Sequence, residues 1–257
     1  MLEVKFTTNE REYIRKLILA RAEMDPTIIS AASFGSAAVG EDDEWSDIDL
    51  GFRIAPDKDH VAVCEDWTVF MKRELPITDT LNVWSQGAIY RVFLLDNTLQ
   101  IDLSFWPYEG FTIIGSKFQL HFGNAQHLPT PSVNPTDIIG QGWLYLIHAR
   151  SYLARGRYWQ TRLMLEEVRN RIFMLACLRN EIAYNKGKGI DLLPVQEIDA
   201  ISVHFETPPG KEDLAAAYLL LSERYLYEVS SLNQSLAEKL NKPILVMLDE
   251  VALYRKS

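Results

Sequence analysis

The chain has 257 residues, 47% of them hydrophobic and 24% charged, and a formal net charge of -9. That length holds one large domain or two ordinary ones, and the composition is that of a folded globular chain. An acidic balance excludes a long polyanion as the expected partner, so nucleic acid is not expected. No apolar run reaches the roughly 18 residues a membrane span needs.

The opening segment MLEVKFTTNEREYIRK lacks the apolar core of a signal peptide, so a cytoplasmic location is expected. Thr7 and Glu10 stand at capping-box spacing, and Tyr13, Ile14, Leu17 and Ile18 recur with helical period, which predicts a helix ended by Pro26. TIISAASF and DIDLGFRI read as strands around a Gly-rich, acidic loop. DKDHVAVCEDWTVFMKREL reads as an amphipathic helix begun by Asp57. Three more strands follow in TDTLNVW, IYRVFLL and LQIDLSFW, the last two joined at Asp96-Asn97. Residues 123–136, GNAQHLPTPSVNPT, carry three prolines and no periodicity, and read as a linker. Everything after Asp137 has helical pattern, with NKGKG and Pro243 as breaks. The expected plan is α+β: a small mixed-sheet domain over 1–135, then an all-α helical bundle over 136–257. The two cysteines, Cys64 and Cys177, lie too far apart for a metal pair and sit among apolar neighbours, as packed core thiols do.

Charge is divided unevenly. Residues 1–135 hold 11 Lys+Arg against 20 Asp+Glu, whereas residues 136–257 hold 15 of each. The acidic half contains SFGSAAVGEDDEWSDIDLGF, residues 33–52. On a strand, side chains two apart share a face, so Asp47 and Asp49 point the same way while Ile48 and Leu50 face the core. Two adjacent carboxylates repel, and a divalent cation offsets that repulsion; oxygen ligands suit Mg²⁺, which also accepts phosphate oxygens. Gly35-Ser36 supplies a turn in which backbone can approach a ligand and exposed N–H groups can hold phosphate. Asp102, between Ile101 and Leu103, is a third carboxylate within a strand pattern. It joins the pair if its strand neighbours theirs; otherwise Arg91 or Arg53 is its expected partner.

Gly35-Ser36, ten residues, Asp47-Ile48-Asp49, then Asp102 on a later strand: over about residues 28–106 this resembles the nucleotidyltransferase superfamily of polymerase-beta-like fold. The helical second half is similar to that of the aminoglycoside and lincosamide nucleotidyltransferases. The resemblance implies that Gly35, Ser36 and Ser46 bind the nucleotide, and that Asp47, Asp49 and Asp102 are catalytic and hold Mg²⁺, two ions being expected, with Asp102 binding the second ion or taking the proton of the attacking hydroxyl, a task for which Glu166 or Glu167 is the other candidate. The reaction it implies is transfer of a nucleoside monophosphate, AMP from ATP, to a hydroxyl of a small molecule, releasing pyrophosphate. The acidic half suits a cationic acceptor such as an aminoglycoside-like antibiotic.

Candidate acceptor-binding residues are Trp106, Glu109, Glu166 and Glu167. Each has a plain structural reading beside it: strand-end packing for Trp106, a loop cap for Glu109, and helical ion pairs with Arg162, Arg169 or Arg171 for the two glutamates. The run AAAYLLL permits a homodimer. Two other function classes fit the same fold: an adenylyltransferase acting on protein or RNA, of toxin–antitoxin type, and a non-catalytic nucleotide-binding protein. The long helical half and the absence of a basic, aromatic stripe weigh against the first. The presence of all three aspartates weighs against the second.

Overall fold

Alternating residues on the central strands sort cleanly onto two faces of one sheet in the computed structural model, which describes residues 5–114, 117–128 and 133–256. Helix α1, Thr8–Met24, opens with the full capping box: the Thr7 side chain accepts from Glu10 N–H, and the Glu10 carboxylate accepts from Thr7 N–H. Thr7→Ala is expected to lower stability by about 1 kcal/mol in urea unfolding, and an unchanged midpoint would refute the role of this cap. Its inward stripe is Arg11, Ile14, Ile18 and Ala22, at spacings of three and four. Tyr13, expected on that stripe, is 68% exposed, and the long polar side chain of Arg11 takes the inward position instead.

Strands β1 (Ile28–Phe34), β2 (Ile48–Ile54), β3 (Ile77–Ser85), β4 (Ala88–Leu95), β5 (Gln100–Trp106) and β7 (Phe118–Phe122) form one sheet in the order β3-β4-β5-β2-β1-β7. Every neighbouring pair is antiparallel except β2 and β5, which run parallel, so the sheet is mixed. Helices α1 and α2 (His60–Glu74) pack on one face, over Leu50, Phe52, Phe93, Ile101, Leu103 and Phe105. Burying each such side chain contributes roughly 1.5–3 kcal/mol. The opposite face carries Asp49, Gly51, Asp102, Ser104 and Tyr90, bordered by the smaller apolar cluster of Ala32, Ala88, Trp106, Phe111 and Ile113.

Several expectations are corrected. Asp59, not Asp57, caps α2, because its carboxylate reaches Val61 N–H at 3.1 Å. The stretch read as a structureless linker contains strand β8, Gln126–Leu128, which pairs in parallel with β6, Thr112–Ile114. Three residues are too few to show alternation, so pairing alone defines that strand. Of the three prolines there, Pro135 is the first residue of a helix whose N-cap is Asn134. Pro129 and Pro131 lie outside the described residues.

The chain divides into two compact units, Met1–Pro131 and Ser132–Ser257. The second is built from α3 (Pro135–Ala154), α4 (Tyr158–Arg179), α5 (Val195–Ile201), α6 (Lys211–Leu232) and α7 (Gln234–Lys256). Helix α4 ends at Arg179, several residues before the expected NKGKG stop, and α5 carried no sequence signal long enough to be read. Pro243 does not break α7; one helix runs through it. The core includes Leu146, Leu165, Ile172, Leu221 and Tyr225, with Cys177 among them. One charged cluster is buried here: Glu228, fully enclosed, takes Arg179 at 2.8 Å and Arg224 at 2.8 Å.

Candidate active site

The parallel pairing of β2 with β5 sets Asp49 directly beside Asp102. Both project from the face that α1 and α2 leave uncovered, because Ile48, Leu50, Ile101 and Leu103 occupy the helix side. Asp47 lies one residue before β2 and is solvent-exposed. Burial pushes the Asp49 carboxyl from its ordinary 3.8 up to about 7, with Asp102 and then Asp47 adding repulsion. Tyr90, on β4, is raised to about 12 by its own burial and then by the charge of Asp49. Gln100 donates to Asp102 at 2.9 Å.

The two arginines named as structural partners for Asp102 are engaged elsewhere. Arg91 belongs to the helix face, where it donates to Glu65 and to Thr68 of α2. Arg53 donates to the Tyr108 carbonyl and to Asn124, and stacks on the Tyr108 ring with 4.1 Å to the centroid.

Gly35 ends β1 with φ of +69°, a backbone conformation that favours glycine, and a side chain there would begin 4.0 Å from Asp49 Oδ2. The Gly35 turn and the carboxylate pair are therefore neighbours. Ser36 Oγ donates to Ser46 Oγ at 3.3 Å, which closes the intervening loop into a ring. The loop is fixed from below by Arg11. This fully buried guanidinium donates to the carbonyls of Asp43 and Ser46 and to the Asp42 carboxylate at 2.8 Å. The sequence gives no direct sign of Arg11, because an arginine on an amphipathic helix reads as solvated.

A recess of about 260 Å³ beside Asp49 is lined by Phe34, Tyr90, Ser104 and Trp106. Trp106 is buried, donates from Nε1 to Ser104 at 3.0 Å and packs edge-on against Tyr90 and Phe111. Glu109 lies exposed on the turn that follows. Glu166 and Glu167 form helical ion pairs in the second unit, with Arg162 at 3.0 Å and Arg171 at 3.1 Å.

Among the described residues, no group of three or more His, Cys, Asp or Glu side chains is gathered closely enough to hold a metal ion. The aspartates interact through charge without forming a finished coordination shell. Their chemistry still fits a hard cation: all are carboxylates, and they repel one another.

No protein-family model matches this chain, and no curated protein does. Among solved structures, it is similar to the crystal structure of an aminoglycoside 6-adenyltransferase from Bacillus subtilis. Identity is 14%, the match covers 93% of this chain and 98% of that one, and the TM-score is 0.41. A likeness at that score decides neither fold nor activity. The class defined by the coordinates is an α+β unit with an acidic site on its open sheet face, followed by a helical unit. Among the described residues, no helix is long and apolar enough to cross a membrane.

Proposed function

We propose that the chain is a nucleotidyltransferase that moves a nucleoside monophosphate from a nucleoside triphosphate to a hydroxyl of a small molecule. The observation that carries this reading is the side-by-side register of Asp49 and Asp102, with the Gly35 backbone so close that a Cβ there would lie 4.0 Å from Asp49 Oδ2. One strand end thus offers a backbone cradle for phosphates beside a carboxylate pair.

Gly35 and Ser36, with Ser46 behind them, hold the β- and γ-phosphates through backbone N–H and hydroxyl donors. Asp47, Asp49 and Asp102 would hold Mg²⁺, two ions if all three ligate. Bound there, the metal supplies charge neutralisation for the entering and leaving oxygens. The acceptor hydroxyl attacks the α-phosphorus in line. An oxygen–phosphorus bond forms, the bond to the β-phosphate oxygen breaks, and the electron pair leaves with pyrophosphate. Asp102, in register beside Asp49, takes the hydroxyl proton. ATP as the donor and a polar or cationic acceptor, aminoglycoside-like in charge, complete the proposal. Trp106, already committed to packing, is a wall of the site rather than a contact that closes on substrate.

Thermal unfolding with ATP and MgCl₂ tests this. Nucleotide at 100 times its dissociation constant adds about 2.7 kcal/mol to a folded state that alone binds it. The expected result is a metal-dependent rise in Tm for wild type, much reduced for Asp47→Asn. No rise with any nucleoside triphosphate would sink the reading.

A further inference from the structure

We infer that the recess beside Asp49 is a stacking slot for the nucleobase, walled by Phe34, Tyr90 and Trp106 and edged by the carboxamide of Gln86. The inference rests on the nucleotidyl-transfer reading and adds to it how the base of the donor is held.

Strand alternation places the slot. Ala32 pairs with Gly51, Gly51 with Ser104 and Ser104 with Tyr90, so Phe34, Trp106 and Tyr90 share the open face with Asp49 and Asp102. Ser104 lies two residues past Asp102, which sets the slot about 7 Å along the sheet from the carboxylate pair. Asp49 itself lines the recess. A nucleotide with its outer phosphates at Gly35-Ser36 and its α-phosphorus at Asp49 and Asp102 thus finds an opening for its base beyond the sugar. The walls are fixed before any ligand arrives. A Cβ on Gly51 would meet Phe34 Cε2 at 2.5 Å and Ser104 Oγ at 2.9 Å, so the Phe34 ring lies over bare backbone. Trp106 donates to Ser104 at 3.0 Å, and Ser104 donates to the Leu50 carbonyl at 3.3 Å. Side chains held in this way lose little freedom on binding.

Chemistry selects the guest. The volume, about 260 Å³, lies just below that of pockets enclosing a drug-sized ligand, so it suits one fragment of a larger molecule. Among the described residues that line it, Asp49 is the one charged side chain, and the metal claims that carboxylate in this reading. A phosphate or a polycationic acceptor therefore has no free counter-charge there. A nucleobase has what the walls ask for, since every base offers a π-face to aromatic side chains. The Tyr90 and Trp106 rings stand at 71° with centroids 5.8 Å apart. A flat guest lying on one ring is edge-on to the other, and both arrangements are favourable. Gln86, exposed on the turn between β3 and β4, offers a donor and an acceptor in one plane, the pattern that pairs with an adenine edge.

Calorimetric titration of Mg-ATP and of Mg-tripolyphosphate provides the test, because the second ligand carries the phosphates without a base. Tyr90→Leu is expected to weaken Mg-ATP by about tenfold, the scale of one lost base–aromatic stack, and to leave Mg-tripolyphosphate unchanged. Gln86→Ala, at an exposed turn position, is expected to weaken Mg-ATP by about fivefold with the same indifference to tripolyphosphate. Equal losses for the two ligands in Tyr90→Leu would mean that the ring only supports Asp49, and would overturn the inference. Unchanged Mg-ATP affinity in both variants, the result if the recess takes the acceptor instead, overturns it as well and leaves the transferase reading standing. No Mg-dependent binding of either ligand by wild type overturns both.

Discussion

Asp49→Asn is expected to cut nucleotidyl transfer by about 10²–10³-fold or more, the scale for losing one preorganised charge contact at a reacting phosphorus. The same variant is expected to be more stable than wild type at pH 8 without metal. The sign follows from proton affinity. The Asp49 carboxyl rises from 3.8 to about 7 on folding, so the folded state binds its proton more tightly than the unfolded chain. This group therefore costs nothing below its unfolded pKa. It destabilises increasingly between pH 4 and pH 7, and fully above that. At about 1.4 kcal/mol per tenfold change in proton affinity, the ceiling is about 4 kcal/mol. Residual solvent access at a half-buried site brings the expected gain to about 1–2 kcal/mol. Paired chemical denaturation at pH 4.5 and pH 8 separates the outcomes. A gain present only at the higher pH supports the crowded carboxylates, whereas an equal gain at both would mean that Asp49 is uncharged or unstrained. Full activity in Asp49→Asn would remove it from the chemistry.

Arg11→Met is expected to show the second-largest effect, and on two observables together. Removing one member of a buried ion pair costs about 3–5 kcal/mol. Asp42 retains 21% exposure and keeps Arg15 at 3.7 Å, so the loss is expected to be no more than the lower end, about 3 kcal/mol. The loop released by this change carries Ser46 and leads directly into Asp47. Displacing a positioned group by about 1 Å can cost about 10²-fold in rate. Arg11→Lys keeps the charge but cannot reach two carbonyls and a carboxylate at once, and should fall between. Hydrogen exchange over residues 40–47 checks the cause: faster exchange confined to the loop supports anchoring. Uniformly faster exchange across the sheet would mean that Arg11 is only a core residue.

Much of the first unit was legible because its chemistry is local. The Thr7–Glu10 box, the strand runs around Gly35-Ser36 and the alternation that turns Asp49 outward are each set by neighbours within a few residues. The pairing of Asp49 with Asp102 was conditional in the sequence, since alternation assigns a face but not a neighbour; only strand order joins them. The anchor Arg11 could not be read, because its partners lie 31 to 35 residues away. Neither could β8, whose three residues gain their identity from β6. In the second unit, Pro243 misled because the residue type predicts the local cost of proline without the tertiary packing that offsets it. Ion pairs on α4 were legible by spacing, and Glu166 and Glu167 make them.

The single parallel pairing in the sheet also bears on how the protein reaches its native state. Asp49 and Asp102 are separated by 53 positions, 102 minus 49, and helix α2 and the β3–β4 hairpin lie between their strands in sequence, the hairpin ending on the far side of β5. Hairpins close in microseconds, but a contact of this sequence separation carries the loop entropy of everything it encloses. Two like charges arrive at that seam, so repulsion opposes the closure that entropy already slows. The Asp49–Asp102 pairing is consequently expected to be among the last parts of the unit to assemble, after the helices and the hairpin.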